Sequence, residues 1–384
     1  MKPSRFRDVA AVVRRLASGV ITAATPRHLF VAGSVLCLPA LSAAIESRSL
    51  LETAGQAAPA VVENAVTRAL AAPIVTVVDK AKPSPTGDNH DYISYARYYW
   101  PDPKKPDGLP FIPRDGHHNR EQVAAGDRHK IDLIVDNVSA LALGWSRLHR
   151  EDCARRAGDW LRAWFVTPAT RMKPALDYAQ VRLGHDQNRG NATGLIDTRT
   201  FAQLVEAIGL LQDSPALTAA EGTAVRQWFS DYYGWLGTGK SAVAEHAARN
   251  NHATWFLVQA VAIARFLGRD DDARRLGEEA KGLIARQFEA DGRQPLELAR
   301  ADGLHYSHFN LYPHLQLARM TRPLGVDLWH YTAPNGGSLK RGLEFLVPYN
   351  AAPEKWPYKQ KEAVPPGFMN ELLAMAAELD AAKL

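Results

Sequence analysis

The 384-residue chain has little cysteine, only Cys37 and Cys153. That excludes a disulfide scaffold and the common cysteine-rich zinc clusters. No HExxH and no GxSxG occurs, which removes the zincin and α/β-hydrolase readings. The apolar run at 29–42, LFVAGSVLCLPALS, is too short for a comfortable membrane span of about 20 residues. The body also lacks charge of one sign. Residues 1–45 hold six basic residues against Asp8 alone, which accounts for the net +5. The rest of the chain is balanced at 40 basic and 40 acidic residues, so nothing points to a nucleic-acid partner. With 46% hydrophobic residues, the chain is neither collagen-like nor disordered.

The N-terminus carries a basic segment, then the apolar run, then small residues at Ser42, Ala43 and Ala44. This is the pattern of a secretory signal, and it assigns residues 1–45 to a leader and the protein to the periplasm or the exterior. Cleavage there leaves Cys153 as the mature cysteine, with no intrachain disulfide and no stable membrane span.

The body, 46–384, reads as one domain. Residues 83–119, PSPTGDNHDYISYARYYWPDPKKPDGLPFIPRDGHHN, are dense in Pro, Gly, Asp and aromatics. Proline at this density breaks helices, so the segment reads as a long ordered loop. From Asp127 onward the apolar spacing is helical: Ile131, Ile134, Val138, Leu141, Trp145 and Leu148 share one face. Similar patterns fall at 152–165, 197–212, 217–236, 252–267, 270–290, 308–320, 338–347 and 366–382, and no run of alternating strands stands out. LRAWF at 161–165 and VRQWF at 225–229 suggest a faint repeat, each ending a helix. Recurring helical hairpins of this kind suit an all-α fold, an (α/α) toroid or incomplete barrel.

Three stretches could carry chemistry. Asn250-Asn251-His252, with Trp255 after it, precedes an apolar helix. An asparagine N-cap explains one of these residues but not the cluster. Arg300, Tyr306 and His308 fall close together in PLELARADGLHYSHFN, where a cleft wall and an ordinary helix start are both open readings. The third runs from MKPALDYAQ to GLIDTR and offers Gln180 and Arg199 to a ligand; its glycines at 184, 190 and 194 form no phosphate loop.

Together these blocks resemble the alginate lyase-like superfamily of polysaccharide lyases. HDYISYARYYWPDP with DGLPFIPRDG resembles its N-terminal block, and MKPALDYAQ and GLIDTR its middle blocks. NNHATW and LELARADGLHYSHF resemble the catalytic blocks. There are departures: Arg300 to Tyr306 is six positions, one fewer than is usual, and Ser307 stands where histidine is common. The proline-rich block is closer to relatives acting on other polyuronates, such as glucuronan.

The resemblance implies a toroid and β-elimination on a uronic acid of an anionic polysaccharide, with no metal or organic cofactor. Taking the C5 proton builds charge on the uronate carboxylate, so donors must neutralise it. Asn251 and Arg300 match that role, and Asn250 could join them. His252 and Tyr306 match the base and the acid, with Tyr306 serving as both when proton and leaving group share a face. Arg300 is expected to lower the Tyr306 pKa. Trp255, Tyr92, Tyr98 or Trp100 could stack on sugar rings, and His90–Tyr92 could close over the polymer. Two other classes compete: a non-catalytic carbohydrate-binding toroid, and a glycoside hydrolase on an α/α barrel.

Overall fold

The computed structural model describes residues 59–80 and 82–381. The leader assigned to 1–45, with Cys37, lies outside the described residues.

Helix α1 (Pro59–Ala71) is followed by the proline-rich segment, which carries three short strands, β1 (Ile93–Tyr95), β2 (Tyr99–Trp100) and β3 (Ile112–Pro113). Then come α2 (Arg120–Ala124), α3 (Arg128–Leu148) and α4 (Glu151–Leu161), which runs into a π-helical turn at Arg162–Val166. Strand β4 (Tyr178–Val181) and a 3₁₀ segment (Ala192–Thr198) lead to α5 (Phe201–Leu210), α6 (Ala219–Thr238) and α7 (Lys240–His246). The chain continues through α8 (Asn251–Phe266), α9 (Asp270–Gln287), α10 (Pro295–Leu298), α11 (Gly303–Thr321), α12 (Leu339–Leu346) and α13 (Asn370–Ala381).

The helices pair in sequence into an all-α incomplete toroid. Helix α3 packs on α1, α4 and α5, while α8 packs on α5, α9 and α11. Apolar stripes on helices such as α4 and α9 require this pairing, because only a facing helix takes them out of water, while α8 is buried on nearly all sides. The inner aromatic cluster joins Trp164, Phe165, Phe201, Trp228, Phe229 and Tyr232. Full burial of each such side chain stabilises by roughly 1.5–3 kcal/mol. Cys153 is also fully buried; its sulfur lies against Gly144 of α3, where an added Cβ would come within 2.6 Å of Sγ.

The structure revises several expectations. Among the described residues there are four short strands; β1 pairs in parallel with β4, and β2 antiparallel with β3. Helix α11 starts at Gly303 rather than 308. The faint repeat fails: Leu161–Phe165 does lie at a helix end, but Val225–Phe229 is in the middle of α6.

The β1–β4 pairing ties the proline-rich segment to the middle block, and two buried carboxylates reinforce it. Asp127 accepts from Lys80 (2.6 Å), Lys130 (2.8 Å) and the Ile93 amide (3.0 Å). Asp197 accepts from Tyr92 (3.0 Å), Ser94 (2.5 Å) and Gln180 Nε2 (3.0 Å), with Arg128 Nε at 3.6 Å. No described helix is long and apolar enough to cross a membrane.

Candidate active site

The N-terminus of α8 gathers the first block. Asn250 is its N-cap, and its side chain accepts from the His252 amide at 3.4 Å. Gln287 of α9 donates to the Asn250 carbonyl at 2.9 Å and so fixes the entry of the chain. Asn251 is 1% exposed and is gripped by Glu297 of α10. Its backbone N–H donates to Oε1 at 2.9 Å and its Nδ2 to Oε2 at 2.8 Å.

His252 Nδ1 lies 2.6 Å from Oε1 of Glu245, a buried residue of α7. A carboxylate on Nδ1 holds the proton there and leaves Nε2 as the lone-pair nitrogen. Nε2 makes no hydrogen bond among the described residues. Burial pushes the Glu245 carboxyl above its ordinary value, while His252 pulls it the other way.

The second block lies around the start of α11. Arg300 Nη2 donates to Tyr306 Oη at 2.9 Å, and its guanidinium carbon sits 3.8 Å from the Tyr306 ring centre. Nη2 and Nε of Arg300 also reach Asp115, at 2.7 and 3.3 Å. Tyr306 Oη lies 2.8 Å from Tyr98 Oη. Tyr98 and Asp115 both belong to the proline-rich segment, and Lys361 Nζ holds that segment at the Gly116 carbonyl, 2.6 Å away. The segment therefore reaches across to the start of α11.

Burial opposes the Arg300 charge, but Asp115 and the two tyrosines outweigh it and push the guanidinium above its ordinary value. Burial raises the Tyr306 phenol well above its ordinary value, and Tyr98 adds to this. Arg300 does pull the phenol down, as its charge requires, but the net shift is upward. The expectation of a lowered Tyr306 pKa is thus corrected: burial and Tyr98 outweigh the cation.

Glu297 connects the two blocks. It holds Asn251 on one side, stands three residues before Arg300, and feels the charges of both Arg300 and His252. The structure thus brings Asn250, Asn251, His252, Arg300 and Tyr306 around one short helix.

The other sequence candidates are placed differently. Tyr92 is 1% exposed, with its hydroxyl on Asp197, so it is a core residue and no stacking platform. His90 and Asp91 do not swing over a cleft. His90 Nδ1 is on the Arg171 carbonyl at 2.7 Å, and Asp91 binds Ser84, Thr86 and Lys173. They anchor the segment, and Tyr98 and Asp115 are the parts of it that meet Tyr306 and Arg300. Gln180 spends Nε2 on Asp197 and has φ +51°, so it is a fixed structural amide rather than a ligand contact. Arg199 is buried, donates to the Ile196 carbonyl and lies over the Trp255 and Phe309 rings. Trp255 packs on Phe309 and Tyr312, and at 6% exposure it backs the site from the core. His308 is buried between Tyr312 and Phe368.

Sequence reasoning gave no role to Glu245, Glu297 or Asp115. It also passed over Gly234–Ser241, which spells GxxxxGK[ST]. There the chain breaks between α6 and α7 at Gly239 (φ −63°, ψ 131°) with no strand before it, so no phosphate cradle forms. A cavity of about 660 Å³ is lined by Val205, Arg226, Arg265, Phe266 and Gln316; none of the candidate residues lines it. Among the described residues no group of three or more His, Cys, Asp or Glu is placed to hold a metal ion.

The alginate lyase family model matches residues 76–356. The crystal structure of an alginate lyase from Bacteroides ovatus superposes with a TM-score of 0.78 at 33% identity, covering 84% of this chain and 88% of that one. The chain belongs to the alginate lyase family. It is a polysaccharide lyase. Alginate lyase A1-III from a Sphingomonas species overlaps more loosely, with a TM-score of 0.48 at 15% identity, covering 77% of this chain and 78% of that one. A single-substitution variant of A1-III complexed with a tetrasaccharide gives 0.47 at 16% identity, with 77% of each chain covered. A search of curated protein sequences gives no match.

Proposed function

We propose that this alginate lyase family member is exported and cleaves a uronic-acid polysaccharide, alginate, glucuronan or a similar polymer, by β-elimination. The observation that carries the reading is the contrast between two proton-transfer groups. Glu245 leaves His252 Nε2 open as a base, while Tyr306 is held as a protonated phenol.

The chemistry follows from that contrast. His252 Nε2 takes the C5 proton, and the electron pair moves toward the uronate carboxylate. Arg300 and the Asn251 amide neutralise the charge that builds there. The pair then forms the C4–C5 double bond and expels O4, which takes the Tyr306 proton. Tyr98 and Arg300 hold the phenol in place for that transfer. Asn251 is nearly covered and is the least accessible of these groups. No metal or organic cofactor enters the scheme, and a chelator should leave turnover unchanged.

The deciding experiment incubates the protein with a panel of uronate polymers and follows ultraviolet absorbance of the conjugated alkene. Hydrolysis cannot generate that chromophore. New reducing ends without it would sink the elimination, and silence on every polymer would sink the substrate class. Export is tested separately by intact-mass measurement of protein from its native host, which should lack the first 40-odd residues. Full-length protein in the cytoplasm would contradict it.

A further inference from the structure

Both oxygens of Glu297 are committed to one residue, taking the backbone N–H and the Nδ2 of Asn251 at 2.9 and 2.8 Å. The other end of that amide, Asn251 Oδ1, is buried and has no hydrogen-bond partner among the described residues. Glu297 is itself 1% exposed and makes no ion pair among them. Placed this way, the donor end of the amide meets a bare buried carboxylate, while the acceptor end meets nothing. Both conditions are costly: a buried charge without a paired cation, and a buried acceptor left empty.

A half-turn of the amide exchanges its oxygen and nitrogen, which look nearly alike in outline. We infer that Glu297 is a neutral carboxylic acid whose O–H donates to the Asn251 side-chain oxygen, turning the NH₂ end of that amide toward the substrate carboxylate. Glu297 is then a positioning residue that acts through Asn251.

The hydrogen bonds close in this arrangement once a uronate carboxylate accepts from the freed NH₂. The carbonyl oxygen of Glu297 still accepts the Asn251 backbone N–H. Its hydroxyl fills the empty Asn251 acceptor. The NH₂ that Glu297 had held becomes the donor that β-elimination requires. The neutral acid also removes a negative charge that would stand directly behind the bound uronate and repel it. Arg300 and His252 are the charged and titratable groups acting on Glu297, and both favour its ionised form. Burial opposes them and prevails, so the carboxyl lies above its ordinary value.

This inference rests on the lyase reading, since an NH₂ donor matters only if a carboxylate is bound. Glu297→Gln tests it, because glutamine reproduces the neutral acid: its NH₂ donates to Asn251 Oδ1 and its C=O accepts the backbone N–H. The variant should keep kcat/KM within about threefold of wild type, and a loss above about tenfold with an unchanged melting temperature would overturn the inference. A neutron structure of the wild-type protein near neutral pH decides the matter if the variant does not fold. A deuteron on Glu297, with the Asn251 ND₂ turned away from it, supports the inference; a bare carboxylate facing that ND₂ overturns it. The neutron result also stands apart from the lyase reading. Failure on every uronate polymer would sink the function while leaving this arrangement to be read directly.

Discussion

The hydroxyls of Tyr98 and Tyr306, 208 residues apart in sequence, lie 2.8 Å from each other. The proline-rich segment thus contributes to the state of the candidate acid as well as covering it. Tyr98 helps to raise the Tyr306 phenol, behind burial as the larger cause, while Arg300 lowers it. Opposite substitutions should therefore move the alkaline limb of kcat in opposite directions. Tyr98→Phe removes an upward influence, so the phenol ionises sooner and the limb shifts to lower pH. Arg300→Gln removes a downward influence, and the limb shifts to higher pH. Two pH–rate profiles check this, and shifts of the same sign would remove Tyr306 from the acid role.

Tyr306→Phe deletes the proton donor with little change of shape. Turnover should fall by ~10²–10⁴-fold, the usual contribution of a general acid–base group. The variant loses hydrogen bonds to Arg300 and Tyr98, each worth about 1 kcal/mol, so it should still fold. Steady-state rates beside a thermal melt check both statements. A variant that keeps most of its rate would show that another group protonates O4.

Glu245→Gln should cut kcat by about 10²-fold, because the imidazole loses the charge that stabilises its protonated form. His252→Ala should be at least as damaging, and the double variant no worse than His252→Ala alone. Stability should change little or rise with Glu245→Gln, since a buried carboxylate is costly. Kinetics of the two single variants and the double, with their melts, separate this from a packing role. Additive losses would show that Glu245 acts on something besides His252.

Asp197→Ala should destabilise the protein by about 3 kcal/mol or more, because it leaves Arg128, Tyr92, Ser94 and Gln180 without their shared acceptor. Denaturant unfolding measures the loss. Limited proteolysis should then cut first in 83–119, where the released hydroxyls sit. Unchanged stability would mean that the segment is held from Asp127 alone.

Much of the fold was legible because helices bury one face at a spacing the sequence displays. The stripe from Ile131 to Leu148 became α3 with its interior side where expected. The strands escaped notice because they are two to four residues long, too short for alternation to show. Within the site, Asn251, His252, Arg300 and Tyr306 were visible as blocks in order. Tyr92 and Gln180 misled because an aromatic or an amide beside a family-like block carries no mark of burial. Glu245 and Glu297 were illegible for the opposite reason. A glutamate in a helix normally faces water, and only the packed structure shows each of these turned inward against a neighbour. Asp115 was hidden by distance, standing 185 positions before the arginine it holds.

The nesting of Cys153 against Gly144 has a consequence for biogenesis. Burial pushes the thiol up to about 11, so at neutral pH only on the order of one molecule in 10⁴ carries the thiolate that attacks disulfides. Once folded, the buried Cys153 thiol is a poor nucleophile for thiol exchange. The interval of risk is the unfolded one, when the sulfur is uncovered and two nascent chains could crosslink. If the protein is exported as proposed, rapid docking of α4 onto α3 protects the sulfur, and a slow-folding variant would betray itself as a reducible dimer on a non-reducing gel.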